Sequence, residues 1–533
     1  MAERLTILWK TPRPVLSRAE KEEGHRTVTD LQIDRAFRLI CPDTMIREAF
    51  LSALLTPLTD PDDILERQKI IAFFHESPQL LDRLTELVRR IAMTKNAWDS
   101  ERSRLLASRT VNPQDKSMLL WTARGTLILT AHFFRIFISC IRDIHESLQM
   151  FGCPEGWLGR LRERTHAIGC TQDMEEILRF TDRLEKNLAN AHSYDIEFDC
   201  DAQLSMTPVF LRDFQFIRTP EKVQKKTKNP LLLLLEKTDR KAAEKADENG
   251  NSRKEEAQPE REVPLGSMDV DWGMEMSAKA VQECDRYLTS FLRTVIDVFA
   301  DLEDELYFYK AALMHIDRLA ERHVQLINPQ ILPMEENTLA IRELSDLLLL
   351  TESMNVLSVV PNDAEIGQNG SGVSGILVTG KNNSGKTVYL RSVGTAVLLA
   401  QCGLPIPAKE AAISIRSRIF TTFARAEGEL EPLSSAGRFE EEAAEIAGII
   451  SRIVPHALVL MNETFQTTSY DEGSEGMAGI LEYLTALGCG FIFVTHLTKL
   501  LDMLRCNGTA EILKTSDDPR TRYKISRESV GKA

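Results

Sequence analysis

The sequence predicts a multidomain protein in which an all-α region precedes an α/β domain. Over about the first 350 residues, glycine and proline are sparse and apolar residues recur at intervals of three and four, a spacing typical of amphipathic helices. From about residue 355, short apolar runs alternate with helical patterns, which is typical of a three-layer α/β domain. The length of 533 residues is too great for one hydrophobic core and favours about three domains.

The composition is that of an ordinary folded chain with an acidic balance. Hydrophobic residues make up 43% of the chain and the formal net charge is -14, which does not favour a protein coated for nucleic acid, although a local basic face is compatible with it. No apolar stretch reaches the ~18 residues of a membrane helix, and the N-terminus lacks the pattern of a signal peptide. The nine cysteines show no metal or redox spacing. We therefore expect a cytoplasmic protein with reduced cysteines and no membrane partner.

The helical region divides into segments. The stretch "PDDILERQKIIAFFHESPQLLDRLTELVRRI" predicts two helices that separate near Ser77-Pro78, and helical patterns also cover 116–150 and 157–191. The stretch "YDIEFDCDAQLSMTPVFLRDFQFI" alternates β-branched and aromatic residues, which predicts a short hairpin. One long helix over about 276–325 is expected next, because its apolar stripe continues through the whole stretch.

Residues 219–266 differ in composition from their surroundings. The part at 236–262 is densely charged, mixed in sign and poor in apolar residues, so it cannot bury enough surface to order itself and is predicted to be a flexible insertion. Four lysines precede it, either as contacts for DNA phosphates or simply as solvent-exposed charge. They are Lys222, Lys225, Lys226 and Lys228.

The stretch "GILVTGKNNSGKTVYL" joins an apolar strand to a helix through the pattern G-x-x-x-x-G-K-T. Its glycines let backbone N–H groups turn toward an anion, and the helix that follows directs its positive end to the same place. Lys386 would reach the β- and γ-phosphates of a nucleotide, and the Thr387 hydroxyl would bind Mg²⁺. A glycine-rich turn with a chance lysine is the alternative. The predicted phosphate loop consists of Gly380, Lys381, Asn382, Asn383, Ser384, Gly385, Lys386 and Thr387.

Two further apolar strands end in candidate functional side chains. The strand in "ALVLMNETF" ends in Asn462-Glu463, where a Walker B strand normally carries Asp for the metal and Glu for the water. The strand in "FIFVTHLTKL" ends in Thr495-His496, and a histidine there can sense the γ-phosphate, with a structural role as the alternative. We assign Glu463 and His496 as catalytic, and Asn462 together with Thr387 as metal ligands.

Taken together, these motifs resemble those of the MutS family, the DNA mismatch-repair ATPases. The nucleotide-flanking motif is "VPND", the Walker A segment is "TGKNNSGKTVYLRSVGTAVLLAQCGLPIPAKEA", the Walker B segment and D-loop are "NETFQTTSYDEG", and the histidine lies in "VTH". Upstream, "LLTPLTDPDDILERQKIIAFF" is similar to the family's helical core and "DLEDELYFYKAALMHIDRL" to its lever helices. The resemblance implies an ABC-type P-loop NTPase domain that uses ATP and Mg²⁺, a homodimer, and duplex or branched DNA as partner. It adds Asn362, Val388 and Gln401 to the nucleotide site.

The resemblance also implies a domain organisation. We expect an N-terminal extension (1–27), a helical core and lever domain (28–195), a reduced clamp-like hairpin with the charged insertion (196–275), lever helices that return to the core (276–352), and a MutS-type P-loop ATPase domain (353–533). Because the core begins by about residue 28, we expect no mismatch-recognition or connector domain, and we expect no Smr domain after the last strand. Such a chain is expected not to read mismatches in the usual way.

Two departures from the family pattern concern the ATPase. Asn462 replaces the first Walker B acid, and the lost charge is worth at most ~3 kcal/mol at about 5 Å and an effective dielectric of about 20. ATP binding is therefore expected to survive and hydrolysis to be slow, with Glu463 polarising the attacking water. The serine that would reach the partner's γ-phosphate falls near Gly437, so the candidates for this role are Ser434, Ser435 and Arg438.

Three functions fit these features. The first is an ATP-driven dimeric clamp that acts on DNA in repair or recombination. The second is a ribosome- or RNA-associated ATPase of the same family, and the third is an ATP-binding scaffold with little turnover, which Asn462 motivates. The acidic balance slightly disfavours the first, and the lack of an Smr-like tail slightly disfavours the second.

Overall fold

The computed structural model describes residues 4–11, 13–107, 116–188, 191–200, 206–216, 267–367, 373–423, 435–464, 470–507 and 509–527. The chain forms two compact units. One comprises Met1–Arg90, Cys140–Ile168 and Asp297–Ala533, and the other comprises Ile91–Ser139 and Gly169–Ile296. No helix among the described residues is long and apolar enough to cross a membrane. The expected domain boundaries group the residues differently and stay a prediction.

The helices of the described residues carry the labels used below. In chain order they are α1 (Arg18–Asp30), α2 (Ile33–Ile40), α3 (Thr44–Leu54), α4 (Pro61–Glu76), α5 (Pro78–Ala107), α6 (Lys116–Met150), α7 (Trp157–Gly169), α8 (Gln172–Asn187), α9 (Ser267–Val298), α10 (Leu302–Ala320), α11 (Leu347–Glu352), α12 (Lys386–Gln401), α13 (Ser435–Ile450), α14 (Tyr470–Ala486) and α15 (Thr498–Asn507).

The strands form three sheets. In chain order they are β1 (Ala191–Cys200), β2 (Met206–Phe216), β3 (Gln330–Leu332), β4 (Leu339–Leu344), β5 (Asn362–Ile366), β6 (Gly375–Thr379), β7 (Glu410–Ser414), β8 (Ile419–Phe423), β9 (Leu458–Asn462), β10 (Gly490–Val494), β11 (Ala510–Thr515) and β12 (Ile525–Arg527). The first two pair with each other. The order is β3-β7-β4-β5 in a four-stranded sheet and β12-β11-β6-β10-β9-β8 in a six-stranded one. The predicted combination of a helical region with α/β sheets is confirmed.

The six-stranded sheet carries the motifs of the C-terminal half. Its strands are parallel except β12, and every residue of β9 and of β10 is buried, as expected when helices cover both faces. In its register, Val378 of β6 pairs with Val494 of β10, and Val494 pairs with Asn462 of β9. The carboxyl ends of these strands therefore meet at one edge of the sheet, and the residues that follow them lie close together.

The predicted single helix over 276–325 is wrong, because the chain breaks between α9 and α10. The segment between them contains neither glycine nor proline, so helix propensity does not explain the break. Instead, the Leu5 N–H donates to the carbonyl of Val298 at 3.0 Å, and Arg4 pairs with Asp301 at 2.9 Å. Segment 4–9 thus supplies a hydrogen-bond donor for a carbonyl at the end of α9, which another helical turn would otherwise supply.

Three further predictions for the N-terminal part of the chain can be compared with the structure. The split near Ser77-Pro78 is confirmed by the end of α4 and the start of α5, and β1 and β2 form the predicted antiparallel hairpin. The pattern over 157–191 forms α7 and α8, because the Thr171 side chain accepts the Met174 N–H at 3.3 Å and starts a new helix. The charged insertion and its four lysines lie outside the described residues.

Helices from the N-terminal part of the chain pack directly on the α/β elements of the same unit. α1 lies beside β8, the outer strand of the six-stranded sheet, where Thr421 Oγ1 donates to an Asp30 carboxylate oxygen at 2.7 Å. Arg391 of α12 donates to both carboxylate oxygens of Asp346 at 3.2 Å and to Gln32 Oε1 at 2.7 Å. The helix that follows the glycine-rich loop is therefore fixed to residues of the N-terminal part of the chain.

Candidate nucleotide site

The predicted phosphate loop lies between β6 and α12, at the edge where the parallel strands end. Gly380 and Gly385 have φ values of 144° and 95°, in the region that glycine adopts without a steric penalty. A Cβ atom on Gly380 would overlap the Thr515 hydroxyl, so glycine is also required there for space. The loop thus brings its backbone to the N-terminus of α12, where unpaired N–H groups and the helix dipole favour an anion.

The buried Lys386 side chain extends back across this loop. Its Nζ atom donates to the carbonyls of Gly380 and Lys381, at 2.9 Å in both cases, and lies 3.7 Å from Glu463 Oε1. Burial lowers the pKa of Lys386, and the carboxylate of Glu463 acts in the opposite direction. A cation is therefore held among oxygen acceptors at the position expected for phosphate.

Thr387 and Asn462 form the second polar pair of the site. Thr387 Oγ1 donates to Asn462 Oδ1 at 3.1 Å, and Asn462 is only 8% exposed. Both oxygens are of the hard, neutral kind that Mg²⁺ accepts. Among the described residues no cluster of three or more His, Cys, Asp or Glu side chains is arranged to hold a metal. The pair therefore fits Mg²⁺ only as a companion of nucleotide phosphates, which would supply the negative charge.

Glu463 and His496 lie together at the same edge of the sheet. Glu463 has a φ of 58°, which is uncommon for a non-glycine residue, and its N–H donates to the carbonyl of Val494 at 2.9 Å. His496 Nε2 lies 3.3 Å from Glu463 Oε1, the same oxygen that faces Lys386. The structure thus brings Lys386 and His496, from two other segments of the chain, to the carboxylate of Glu463.

Two predicted nucleotide contacts are not brought to the loop. Gln401 ends α12, so the ~1.5 Å rise per residue puts it about 22 Å from Lys386 along the helix. Its Nε2 donates to the carbonyls of Leu58 and Arg416, and its Oε1 accepts the Arg416 N–H, each at 3.0 Å. These bonds use both N–H groups of the buried amide and hold it against backbone at the far end of α12. Asn362 is closer to the loop, but its amide also bonds to backbone, as described below.

The structure describes the side chains of some of the remaining predicted residues and not of others. In the loop, Ser384 Oγ donates to the Lys381 carbonyl at 2.6 Å, and Lys381 Nζ pairs with Asp517 at 2.9 Å. Asn382 and Asn383 are exposed, and Val388 is half-buried in the first turn of α12. Ser435 and Arg438 lie at the start of α13 with undescribed side chains, and Ser434 is outside the described residues.

Sequence reasoning missed the turn between β11 and β12, which borders the loop. Thr515 faces Gly380, Asp517 pairs with Lys381, and the Tyr523 ring would lie 3.3 Å from a Cβ atom on Gly385. The only local signal is the turn-forming stretch "SDDPRT" between two short strands. Nothing in that stretch indicates what the turn contacts, because its partners are more than a hundred residues away in the chain.

Comparison with known proteins relates the chain to one family. Residues 376–526 match MutS domain V. The DNA mismatch repair protein MSH3 of Mycosarcoma maydis is 28% identical over 235 residues, which are 43% of this chain and 19% of that protein. The DNA mismatch repair protein MutS of Microcystis aeruginosa is 36% identical over 160 residues, which are 29% of this chain and 18% of that protein. The DNA mismatch repair protein MSH2 of Saccharomyces cerevisiae is 26% identical over 232 residues, which are 42% of this chain and 23% of that protein. Each match spans less than a quarter of the relative.

Proposed function

The chain belongs to the MutS family through its C-terminal ATPase region, and we propose that it is an ATP-dependent DNA-binding protein that works as a dimeric clamp in DNA repair or recombination. The observation that carries this proposal is the convergence of Lys386, Glu463 and His496 beside the glycine-rich loop. The DNA mismatch repair relatives support the choice of DNA as partner.

In the proposed site, each side chain has a separate task. Lys386 exchanges its two loop carbonyls for β- and γ-phosphate oxygens, which are charged and therefore stronger acceptors. Its departure leaves the Glu463 carboxylate free to orient the attacking water, and His496 holds that carboxylate and lies where it can respond to the γ-phosphate. Thr387 and Asn462 would hold Mg²⁺, which neutralises phosphate charge when bound.

The clamp depends on a second copy of the chain. The first turn of α13, with Ser435 and Arg438, is proposed to reach the γ-phosphate held by the partner's loop. ATP then stabilises the closed dimer to the extent that it binds that state more tightly, and hydrolysis removes the difference. The connection of α12 to Asp346 and Gln32 gives the loop a rigid link to N-terminal residues of its own unit.

A second candidate function is an ATP-binding scaffold that dimerises with little turnover. The observation that favours it is the uncharged Thr387–Asn462 pair, which offers a metal two neutral oxygens where a carboxylate would bind more tightly. The clamp and the scaffold both bind ATP, and they differ in how fast they hydrolyse it. A measured hydrolysis rate therefore distinguishes them.

Replacement of Glu463 by glutamine tests the catalytic assignment. Glu463→Gln keeps the size of the side chain and one oxygen acceptor but removes the base, so we expect ATP affinity to stay within about threefold and hydrolysis to fall at least about 100-fold. Steady-state phosphate release and equilibrium ATP binding measure the two quantities.

Glu475→Gln is the matched control, because Glu475 is an exposed carboxylate of α14 that pairs with Lys499 at 2.9 Å. It is expected to hydrolyse ATP at the wild-type rate. Equal rates for wild type and Glu463→Gln would remove Glu463 from the proposed role. Tight ATP binding without measurable hydrolysis in the wild type would favour the scaffold.

A further inference from the structure

The turn at 516–524, between β11 and β12, lies against the phosphate loop at two points, and the residue before the turn adds a third. Thr515 precedes the turn and closes over Gly380, where no Cβ atom would fit. Asp517 pairs with Lys381 at 2.9 Å. At the other end of the loop, a Cβ atom on Gly385, the residue that precedes α12, would lie 3.3 Å from the ring of Tyr523. The turn therefore forms one side of the space in which a nucleotide would lie.

Asn362 fixes this turn through its side-chain amide. Its Oδ1 accepts the Ile525 N–H at 2.7 Å, and its Nδ2 donates to the carbonyls of Tyr523 at 3.1 Å and Val360 at 3.3 Å. A second contact lies beside it, where Lys524 Nζ donates to the Pro361 carbonyl at 2.7 Å. Since the amide is already bonded to backbone on both sides, Asn362 has little capacity left for a ligand.

Tyr523 is held in a conformation that it would not adopt by itself. Its φ is 70°, a left-handed value that costs a non-glycine residue free energy and persists only where neighbours impose it. Both Asn362 hydrogen bonds lie on the C-terminal side of this residue, at its own carbonyl and at the N–H of Ile525. The Arg522 guanidinium lies 4.7 Å from the ring centroid, yet Tyr523 remains 39% exposed. A strained and exposed aromatic residue beside a glycine-rich loop is poorly explained by packing alone.

From this arrangement, and resting on the proposed function, we infer that Tyr523 forms the wall against which the nucleoside part of ATP packs, and that Asn362 is a positioning residue that acts through Tyr523. The phosphates lie at the loop and the N-terminus of α12, so the ribose and base must leave the loop along one of its sides. The Tyr523 ring offers a planar apolar surface on one such side, and a purine gains most from such a surface.

Two polyphosphate ligands separate contacts to the nucleoside from contacts to the phosphates. In the presence of Mg²⁺, Tyr523→Ala is expected to weaken ATP binding about tenfold, which corresponds to ~1.4 kcal/mol. Binding of inorganic tripolyphosphate is expected to stay within about twofold of wild type. Tyr523→Phe keeps the ring and is expected to bind both ligands like wild type. Calorimetry with the full chain measures all of these affinities.

Asn362→Ala is expected to show the same pattern, with ATP weakened about tenfold and tripolyphosphate unchanged. If Asn362 acts through Tyr523, the double variant binds ATP no more weakly than the Tyr523→Ala variant, so the two effects are not additive. Should Asn362→Ala fail to fold, Asn362→Asp keeps the acceptor for Ile525 and loses the donor to Tyr523, and the same pattern is expected.

Matched controls come from the same unit. Tyr483→Ala removes a tyrosine that is 47% exposed near the end of α14, and Asn355→Ala removes an asparagine whose Oδ1 accepts the Leu357 N–H at 3.1 Å in a neighbouring turn. Neither is expected to change ATP affinity. The inference is overturned if Tyr523→Ala binds ATP like wild type, if Asn362→Ala weakens both ligands equally, or if the effects of the two substitutions add. A wild-type chain that binds neither ligand would instead refute the proposed function.

Discussion

At the scale of single residues, Asn462 is the uncharged partner of Thr387 in the proposed Mg²⁺ site. Its Oδ1 accepts a hydrogen bond from Thr387, so the amide holds the same partner that a carboxylate would hold. What the amide lacks is charge, because a neutral oxygen contributes less to a divalent cation than a carboxylate oxygen does. Under the proposed function, the charged Glu463 that follows orients the water, so the amide at 462 is expected to affect metal affinity more than the activation of water.

Asn462→Asp is expected to lower the Mg²⁺ concentration that gives half-maximal ATP hydrolysis by at least about threefold, because the added charge attracts each unit of charge on the cation with ~3 kcal/mol at about 5 Å and an effective dielectric of about 20. Titration of ATPase activity with MgCl₂ measures this concentration. Asn462→Ala removes the oxygen acceptor and is expected to raise the Mg²⁺ concentration that gives half-maximal hydrolysis. An unchanged Mg²⁺ requirement in both variants would mean that residue 462 does not influence the metal.

At the scale of elements, the break between α9 and α10 is imposed by contact with segment 4–9. In the turn that follows the break, the buried Glu305 accepts the Ile7 N–H at 2.6 Å. Arg67 of α4 donates to the Leu8 carbonyl and to the Cys402 carbonyl, and its guanidinium lies over the rings of Trp9 and Phe308. A buried carboxyl group and a buried guanidinium group therefore bond to the backbone of segment 4–9 and hold it beside the break.

This junction predicts a dependence of stability on pH. Burial raises the pKa of Glu305 from 4.5 to about 8. The hydrogen bonds from Ile7 and Thr6 oppose this shift most, Asp301 adds to it, and Arg67 opposes it weakly. Because the folded state binds this proton more tightly, the stabilising contribution is complete below about pH 4.5 and is lost as the pH rises to about 8. Glu305→Gln keeps an acceptor for Ile7 without a titrating group. Its urea midpoint, relative to wild type, is therefore expected to rise between pH 5 and pH 8.

Urea unfolding at several pH values, followed by circular dichroism, measures these midpoints. Glu321→Gln, at the exposed end of α10, is the control and should follow wild type at every pH. A difference between Glu305→Gln and wild type that stays constant over the pH range would mean that Glu305 does not titrate there.

At the scale of the whole molecule, the proposed function requires that ATP joins two copies of the chain. The loop residues of one copy supply the phosphate contacts, and the start of α13 is proposed to supply the remaining contact from the partner. A non-hydrolysable ATP analogue is therefore expected to convert monomer to dimer in sedimentation velocity. Lys386→Ala, which lacks the phosphate-binding cation, should remain monomeric under the same conditions. A chain that stays monomeric at every concentration with saturating analogue would refute the clamp.

The sequence by itself determined the alternation of strands and helices in the C-terminal half and most of the loop site, but it did not indicate β5, β7 or β11. Strand length, the spacing of the glycines and the Lys386-Thr387 pair are local properties, and parallel buried strands bring their carboxyl ends to one edge. For that reason the sequence alone predicted that Glu463 and His496 lie near Lys386, although the three residues belong to separate segments of the chain. The interpretation of the helical pattern was correct in type for α1 to α10. It was wrong where a distant segment interrupts a helix, and also over 330–344, where the chain forms β3 and β4 within the part predicted to be helical.

Tertiary structure alone decided the features that depend on contacts between distant residues. Residues 4–9 end α9 at Val298, where the local pattern continues as a helix. Gln401 turns its amide to Leu58 and Arg416, and Asn362 turns its amide to the chain at Tyr523, 161 residues later. A side-chain amide has the same donor and acceptor groups in any sequence, and only the backbone that folding brings within about 3 Å decides which ones it satisfies.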